Sequence, residues 1–337
     1  MARRGDGATS IFMSKAFRFY VTGGPDVLKW EDVEVPSPGP AQVKIRHTAV
    51  AVNYRDILIR NGIHSVKLPS GIGLEGAGII EAVGPQVESL KAGDRVVCVS
   101  GPDGAYAEAR LVPAARVVKL PGNIDERQAA GMMIRGMTAR YLVRETYRVE
   151  AGSKVLIHAA AGGVGTILCQ WAKYLGAFVI GAVGSEEKIA VALKNGCDHV
   201  IHASKGDFSD EVRTLTNGEG VDAVYDSVGR TTFEQSARSL RRRGFLISFG
   251  EASGDPDPVP PRRLGQLGSI YLTHPSLPDY TATREELVTT ANDLFEMVGS
   301  GKIHVDVTAE YALRDAPRAH SDLETRKTTG AVVLVVP

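Results

Sequence analysis

The stretch Lys154–Val155–Leu156–Ile157–His158–Ala159–Ala160–Ala161–Gly162–Gly163–Val164–Gly165–Thr166–Ile167–Leu168 decides the fold. Its first half is an apolar run and reads as a buried strand over Lys154–Ala160. Its second half opens a helix over Gly165–Leu175, with Val164, Ile167, Leu168, Trp171 and Leu175 on one face. Gly176 suits the position just past that helix. Between strand and helix, the Ala160–Gly165 turn carries no bulky side chain. Backbone N–H groups can therefore approach a pyrophosphate, and the helix start adds about half a positive charge facing it. Ala160 stands where the dinucleotide fingerprint usually has its first glycine. The alternative is a purely structural tight turn, but strand, glycine turn, helix and second strand together are the context that supports a dinucleotide site.

Working outward, strands and helices alternate. Strands are expected at Phe178–Val183, His199–His202, Ala223–Asp226 and Gly244–Phe249, with helices at Glu186–Asn195, Asp207–Thr216 and Thr231–Leu240. This alternation implies βαβ units and a doubly wound parallel sheet, an α/β fold. Ser269–Thr273 reads as one more strand. Thr283–Ser300 reads as an amphipathic helix opened by a Thr283/Glu286 capping box. Before the turn, Lys15 to about Arg135 consists of short strands and turns, such as the β-branched run Val43–Val52, and Asp125–Tyr147 turns helical. The chain ends in an apolar strand, Ala331–Val336. Met1–Ser10 is small, polar and partly basic, and is expected to be an extension outside the fold.

The end of the second strand of the nucleotide unit selects the cofactor. An Asp or Glu there would hold the ribose of NAD. Here Phe178–Val183 runs into Gly184–Ser185 without a carboxylate, and Lys188 follows to meet a 2′-phosphate as a point charge. This favours NADPH. Glu186 and Glu187 suit the first turn of the next helix, although one of them could instead reach a ribose.

The 337 residues are 43% hydrophobic, enough for a sizeable core. Lys+Arg and Asp+Glu both number 39, a neutral balance that argues against a dedicated nucleic-acid binder. No apolar run approaches the roughly 18 residues of a membrane span. Three cysteines, Cys98, Cys169 and Cys197, can make neither a disulfide framework nor a four-cysteine zinc site, and read as core residues in a reducing compartment. None of the eight histidines forms an HExxH pair or lies at metal-ligand spacing from a cysteine, so no metal site is expected. No Gly-x-Ser-x-Gly elbow is present.

Beyond the glycine turn, the markers are Gly23–Leu28, Val52–Asn53–Tyr54–Arg55–Asp56, Gly73–Leu74–Glu75–Gly76–Ala77–Gly78, Lys91–Val96, Gln170–Lys173, Tyr225–Gly229 and Ser248–Phe249–Gly250. Together they resemble the medium-chain dehydrogenase/reductase superfamily. Within it they are similar to the zinc-free quinone oxidoreductases related to zeta-crystallin, most like the bacterial NADPH:quinone reductases. Zinc-dependent relatives carry Gly-His-Glu where this chain has Gly73–Leu74–Glu75, and an earlier cysteine ligand near the position of Asn53.

The resemblance implies a GroES-like catalytic domain over residues 14–137 and 273–337. A Rossmann domain over 138–272 would be inserted in it, with the active site in the cleft between them and residues 1–13 outside. It implies that Ala161, Gly162, Gly163 and Val164 form the pyrophosphate turn, and that Gly184, Ser185, Lys188 and Arg326 bind the 2′-phosphate. Asn53 and Thr138 would lie near the nicotinamide. Val228, Ser248, Phe249 and Gly250 would line the groove, with Leu272 and Thr273 on the nicotinamide side. Three positions depart from the pattern: tyrosines common in the family are Leu58 and His64 in the substrate cleft and Ala203 beside the adenosine phosphate.

The activity implied is zinc-independent hydride transfer from NADPH to a quinone, with Asn53, Thr138 and Arg135 as positioning groups. His64 is a candidate general acid, because imidazole titrates near neutrality, and is otherwise an exposed loop residue. The alternatives are an enone (2-alkenal) reductase and a non-catalytic NADPH-binding protein. A cytoplasmic homodimer, paired through the edge strand near Ser269–Thr273, is the family expectation.

Overall fold

The structure is a computed structural model that describes residues 12–99, 104–325 and 327–337. It divides into two compact units. One comprises the described residues up to Ile134 with Val305–Pro337, and the other is Arg135–His304.

In the first unit the strands are β1 (Phe12–Phe19), β2 (Lys29–Val35), β3 (Gln42–Ala51), β4 (Ser70–Gly71), β5 (Glu75–Val83), β6 (Arg95–Val99), β7 (Ala109–Pro113) and β8 (Val117–Lys119). Helix α1 (Tyr54–Arg60) follows β3, and α2 (Glu126–Tyr141) runs across the unit boundary. β1 pairs with β2 and β4. β3 is the hub of the larger sheet, antiparallel to β5 and to β7. Its alternation explains why. Val43, Ile45 and His47 are fully buried while Arg46 faces out, so one face of the strand packs on the core. The first strand begins at Phe12, inside what the sequence assigned to the extension.

The second unit holds β9 (Lys154–His158), α3 (Gly163–Tyr174), β10 (Phe178–Val183), α4 (Ile189–Lys194), β11 (His199–His202), α5 (Phe208–Leu215), β12 (Val221–Asp226), α6 (Phe233–Ser239), β13 (Leu240–Ser248), α7 (Pro261–Gln266), β14 (Tyr271–Thr273) and α8 (Arg284–Gly299). The strands form one parallel sheet in the order β11-β10-β9-β12-β13-β14. Numbered from its first strand, that is the doubly wound order 3-2-1-4-5-6. α3 buries Ile167, Leu168, Trp171 and Ala172 and ends at Gly176, whose φ of +87° is the left-handed conformation that stops a helix.

The chain then returns to the first unit through β15 (Val307–Ala312), α9 (Ala316–Glu324) and β16 (Ala331–Val335). β16 pairs antiparallel with β3 and parallel with β15. The division places residues 273–304 with the nucleotide unit, whereas the sequence boundary stood at 272/273. Packing accounts for the difference. Tyr280 stacks on Tyr141 at 4.3 Å, Arg140 donates to Asp293 at 2.9 Å, and a Cβ on Gly136 would meet Leu294 at 2.5 Å.

The capping box at the start of α8 is present in both directions. Thr283 Oγ1 accepts from the Glu286 N–H at 3.2 Å, and Glu286 Oε2 accepts from the Thr283 N–H at 2.9 Å. Thr283→Ala is therefore expected to lower the stability by about 1 kcal/mol, read as a fall in the urea midpoint. All three cysteines are free and buried, and no helix among the described residues is long and apolar enough to cross a membrane.

Candidate active site

Apart from Arg135 and Thr138, which lie on α2, the residues that the sequence singled out in this unit sit at or near the C-terminal ends of the parallel strands. At the end of β9 the strain falls on Ala159, at φ +48°, and not on Ala160. A left-handed L-residue costs roughly 1–2 kcal/mol, so the turn demands its conformation one residue earlier than the fingerprint alignment suggests. Gly162 caps α3, and the helix begins at Gly163, two residues before the position read from the sequence. No side chain caps that start, which leaves the amides of the first turn for a ligand.

Two glycines are required there by close approach. A Cβ on Gly165 would lie 2.1 Å from the Ala159 carbonyl oxygen. One on Gly163 would lie 2.7 Å from Arg135 Nε and 2.9 Å from its Cδ. The Arg135 side chain is thus buried against the turn. Thr138, one helical turn further along α2 and also buried, shares its face.

Around the end of β10, Gly184 has open space where a Cβ would be. Ser185 Oγ donates to Glu187 Oε1 at 2.5 Å, and Glu186 pairs with Lys205. Both carboxylates that could reach a ribose are engaged by neighbours. The Ser185 hydroxyl, with a smaller contribution from Lys188, holds Glu187 below the usual carboxylate range. Lys188 ends the short turn Glu186–Lys188. Ala203 extends β11 alongside β10, its N–H donating to Val183 O at 2.9 Å. Lys205, two residues on, was not singled out in the sequence. Its place beside Glu186 depends on the β10–β11 pairing. Arg326 lies outside the described residues.

Asp226 organises the next two strand ends. It is fully buried, and its carboxylate accepts from the Val228 and Gly229 amides and from the Thr232 and Ser236 hydroxyls, all within 3.0 Å. Ser236 in turn accepts from His158 Nε2 at 2.9 Å, since its own hydrogen goes to Asp226. Burial pushes the His158 pKa down, opposed by Asp226. The Phe249 N–H donates to Asp226 O, and a Cβ on Gly250 would touch Ser227 O at 2.9 Å. Val228, Ser248, Phe249 and Gly250 are therefore set as one cluster. Leu272 and Thr273 sit in β14 opposite Leu246 and Ile247.

In the first unit Asn53 is buried at the start of α1. Its backbone N–H donates to Asp56 Oδ2 at 2.8 Å and its side-chain Nδ2 to Glu75 Oε1 at 2.8 Å. The other Glu75 oxygen accepts from the Ile134 N–H at 2.7 Å. Neither Glu75 nor Asp56 was assigned a role from the sequence, although both lie in the quoted motifs. The Asn53-x-x-Asp56 spacing is itself a capping signal. His64 is half-buried beyond the far end of α1, its N–H on Leu58 O at 3.0 Å. Asn53 and His64 thus stand off opposite ends of one helix. Leu58 is buried on it.

The alcohol dehydrogenase GroES-like domain family matches residues 39–122, and the zinc-binding dehydrogenase family matches residues 163–296. A quinone oxidoreductase of Pseudomonas aeruginosa is 43% identical over 324 residues, 96% of this chain and 100% of that protein. The chain belongs to the medium-chain dehydrogenase/reductase superfamily. A 2-haloacrylate reductase of Burkholderia is 44% identical, over 93% of this chain and 96% of that one. The structure of Escherichia coli quinone oxidoreductase complexed with NADPH superposes with a TM-score of 0.93 at 43% identity, covering 95% of this chain and 99% of that one.

As a medium-chain dehydrogenase/reductase, the chain is an oxidoreductase built from a GroES-like domain and a Rossmann domain. Leu74, at the position of the zinc relatives' histidine, packs against the apolar cluster of Phe19, Val52 and Ile72. Among the described residues, no group of three His, Cys, Asp or Glu is placed to hold a metal ion.

Proposed function

We propose that this protein is a zinc-independent reductase that transfers hydride from NADPH to a quinone. The full-length likeness to quinone oxidoreductases carries the reading, and the residues present fit the cofactor. The uncapped start of α3 suits the pyrophosphate, with Arg135 beside it. The open Gly184, Ser185 and Lys188, with no carboxylate at the tip of β10, suit a 2′-phosphate better than a bare ribose. Ala161, Gly162, Gly163 and Val164 would hold the pyrophosphate. Val228, Ser248, Phe249, Gly250, Leu272 and Thr273 would line the remainder. Ala203, beside the end of β10, would border the adenosine end.

Bound NADPH supplies the hydride. The chain's own groups align the acceptor and stabilise the charge that develops on its oxygen. In this reading Asn53, one Nδ2–H of which is committed to Glu75, is a positioning group, as are the Thr138 hydroxyl and the Arg135 guanidinium. On the same reading Leu74, and Asn53 or a neighbour, stand where the zinc relatives carry metal ligands. A quinone suits such a site because its reduced anion is a delocalised phenolate that needs little acid help. His64 is the candidate proton donor for acceptors that do.

The test is NADPH and NADH oxidation with 1,4-benzoquinone and with an enone, side by side. Turnover of NADPH with the quinone supports the reading. The 44% likeness to a 2-haloacrylate reductase, with Leu58 and His64 in place of tyrosines, favours reduction of an activated alkene as the second reading. Turnover with the enone alone would establish it. Tight NADPH binding without turnover would point instead to a non-catalytic NADPH-binding protein. Lys188→Ala is expected to raise the KM for NADPH about tenfold while leaving that for NADH within about twofold, since only the former carries the phosphate. Equal effects on both would remove Lys188 from the 2′-phosphate pocket.

A cytoplasmic homodimer completes the proposal. The buried free thiols suit a reducing compartment. β14 is the last strand of its sheet and leaves Tyr271 more than half exposed, an edge that a second copy would cover. A monomer by light scattering at micromolar concentration would exclude the dimer.

A further inference from the structure

A buried polar chain in the first unit leads to Asn53. Arg60 is 1% exposed, yet every part of its guanidinium is engaged. Nε donates to Gly23 O at 3.0 Å, Nη2 to Glu324 Oε1 at 2.6 Å, and Nη1 to Glu324 Oε2 at 3.2 Å and to His320 Nδ1 at 3.1 Å. Arginine can only donate, so His320 Nδ1 accepts and its hydrogen sits on Nε2. That Nε2–H lies 3.0 Å from Tyr106 Oη, whose own O–H donates to Asp56 Oδ2 at 3.2 Å. The same Asp56 oxygen receives the Asn53 N–H.

The direction of every bond is therefore fixed, from Arg60 through His320 and Tyr106 to Asp56. Burial and the adjacent Arg60 push the His320 pKa down to about 3, which keeps the ring in this neutral form. Tyr106 is also fully buried, and it packs so tightly on Gly73, at φ +98°, that a Cβ there would lie 2.4 Å from its ring. Glu75, the second anchor of Asn53, follows Gly73 by two residues. Tyr106 thus bonds directly to Asp56, which holds the Asn53 backbone, and packs on the glycine two residues before Glu75, which holds the Asn53 side chain.

We propose that Tyr106 and His320 are positioning residues for hydride transfer, holding Asp56, and through it Asn53, in register with the acceptor. This rests on the reading of Asn53 as a group at the reacting carbonyl. The reason for such an arrangement is geometric. A carboxylate held only by its own helix could rotate, whereas one that receives a directed O–H from a residue wedged against Gly73 cannot turn without stranding a buried donor.

The test uses the full-length enzyme with NADPH, its 4-deuterated form and 1,4-benzoquinone. Tyr106→Phe keeps the ring and removes only the O–H. It is expected to lower kcat roughly tenfold, to raise the primary deuterium isotope effect, and to leave NADPH affinity within about twofold. His320→Gln presents an acceptor and a donor in the same sense and is expected to retain most of kcat, whereas His320→Leu should reproduce the loss.

A merely structural role predicts fewer active molecules with an unchanged isotope effect, and that result would overturn the proposal. So would equal behaviour of His320→Gln and His320→Leu, a comparison that stands even if Tyr106→Phe does not fold. If the unaltered protein reduces neither quinone nor enone, the reading of Asn53 fails and this proposal with it. Normal turnover in the unaltered protein and in every variant overturns this proposal alone.

Discussion

Gly165→Ala is expected to lower the unfolding free energy by about 3 kcal/mol and to weaken NADPH binding by at least about tenfold. The added Cβ would stand 2.1 Å from the Ala159 carbonyl oxygen, 2.9 Å from the Ala159 carbonyl carbon and 2.9 Å from Ala160 Cα. All three are backbone atoms of the turn, so no side chain can rotate away. Either α3 moves back from β9 or the turn opens. The first loses the packing of Ile167, Leu168 and the fully buried Trp171, and the second displaces the uncapped amides proposed to hold the pyrophosphate. Urea unfolding and NADPH fluorescence titration measure the two parts. Gly122→Ala serves as the control, because a Cβ there meets nothing within 4 Å. Equal behaviour of the two variants would contradict the argument.

Acid is expected to destabilise the protein well above the range where carboxylates titrate. His47 and His320 are fully buried, and their pKa values are each pushed down to about 3. Desolvation is the main cause in both, aided by Arg110 at His47 and by Arg60 at His320. His158 is shifted in the same direction, chiefly by burial. In the unfolded chain each takes up a proton near pH 6.5. Below that pH the unfolded state binds protons that the folded state refuses, so stability is fully present above about 6.5 and falls as the pH drops toward 3. Each histidine adds up to about 1.4 kcal/mol per pH unit to that slope. Urea midpoints compared at pH 7.5 and 5.5 read it directly. His47→Asn, whose amide can still donate to Ala107 O, should flatten the dependence. A midpoint that does not change between the two pH values would refute the assignment of neutral buried rings.

The nucleotide half was legible because its signals are local. An apolar run, a side-chain-poor turn and a helical face recur within a few residues, and the strands Phe178–Val183 and His199–His202 fall where the pattern places them. The α8 cap was readable for the same reason: Thr283 and Glu286 are three residues apart. Less local features carry no such signal. The helix start at Gly163 and the strain at Ala159 depend on how closely α3 approaches β9. The allegiance of residues 273–304 depends on Tyr280 and Leu294 meeting α2. Helices α1 and α9 were not expected, because each is short and takes its partners from distant sequence.

What the sequence determined by itself was the class of fold, the glycine turn between β9 and α3, the absence of a carboxylate at the tip of β10 and the family resemblance. All of these are carried by residue types at short spacing. What only the tertiary structure decided was how the polar groups are spent: Asp226 on the loop after β12, Glu75 on Asn53, and His320 on Tyr106 across 214 positions of chain. The physical reason is that a buried polar group must find its partner wherever the folded chain brings one, and that partner leaves no periodic trace along the sequence.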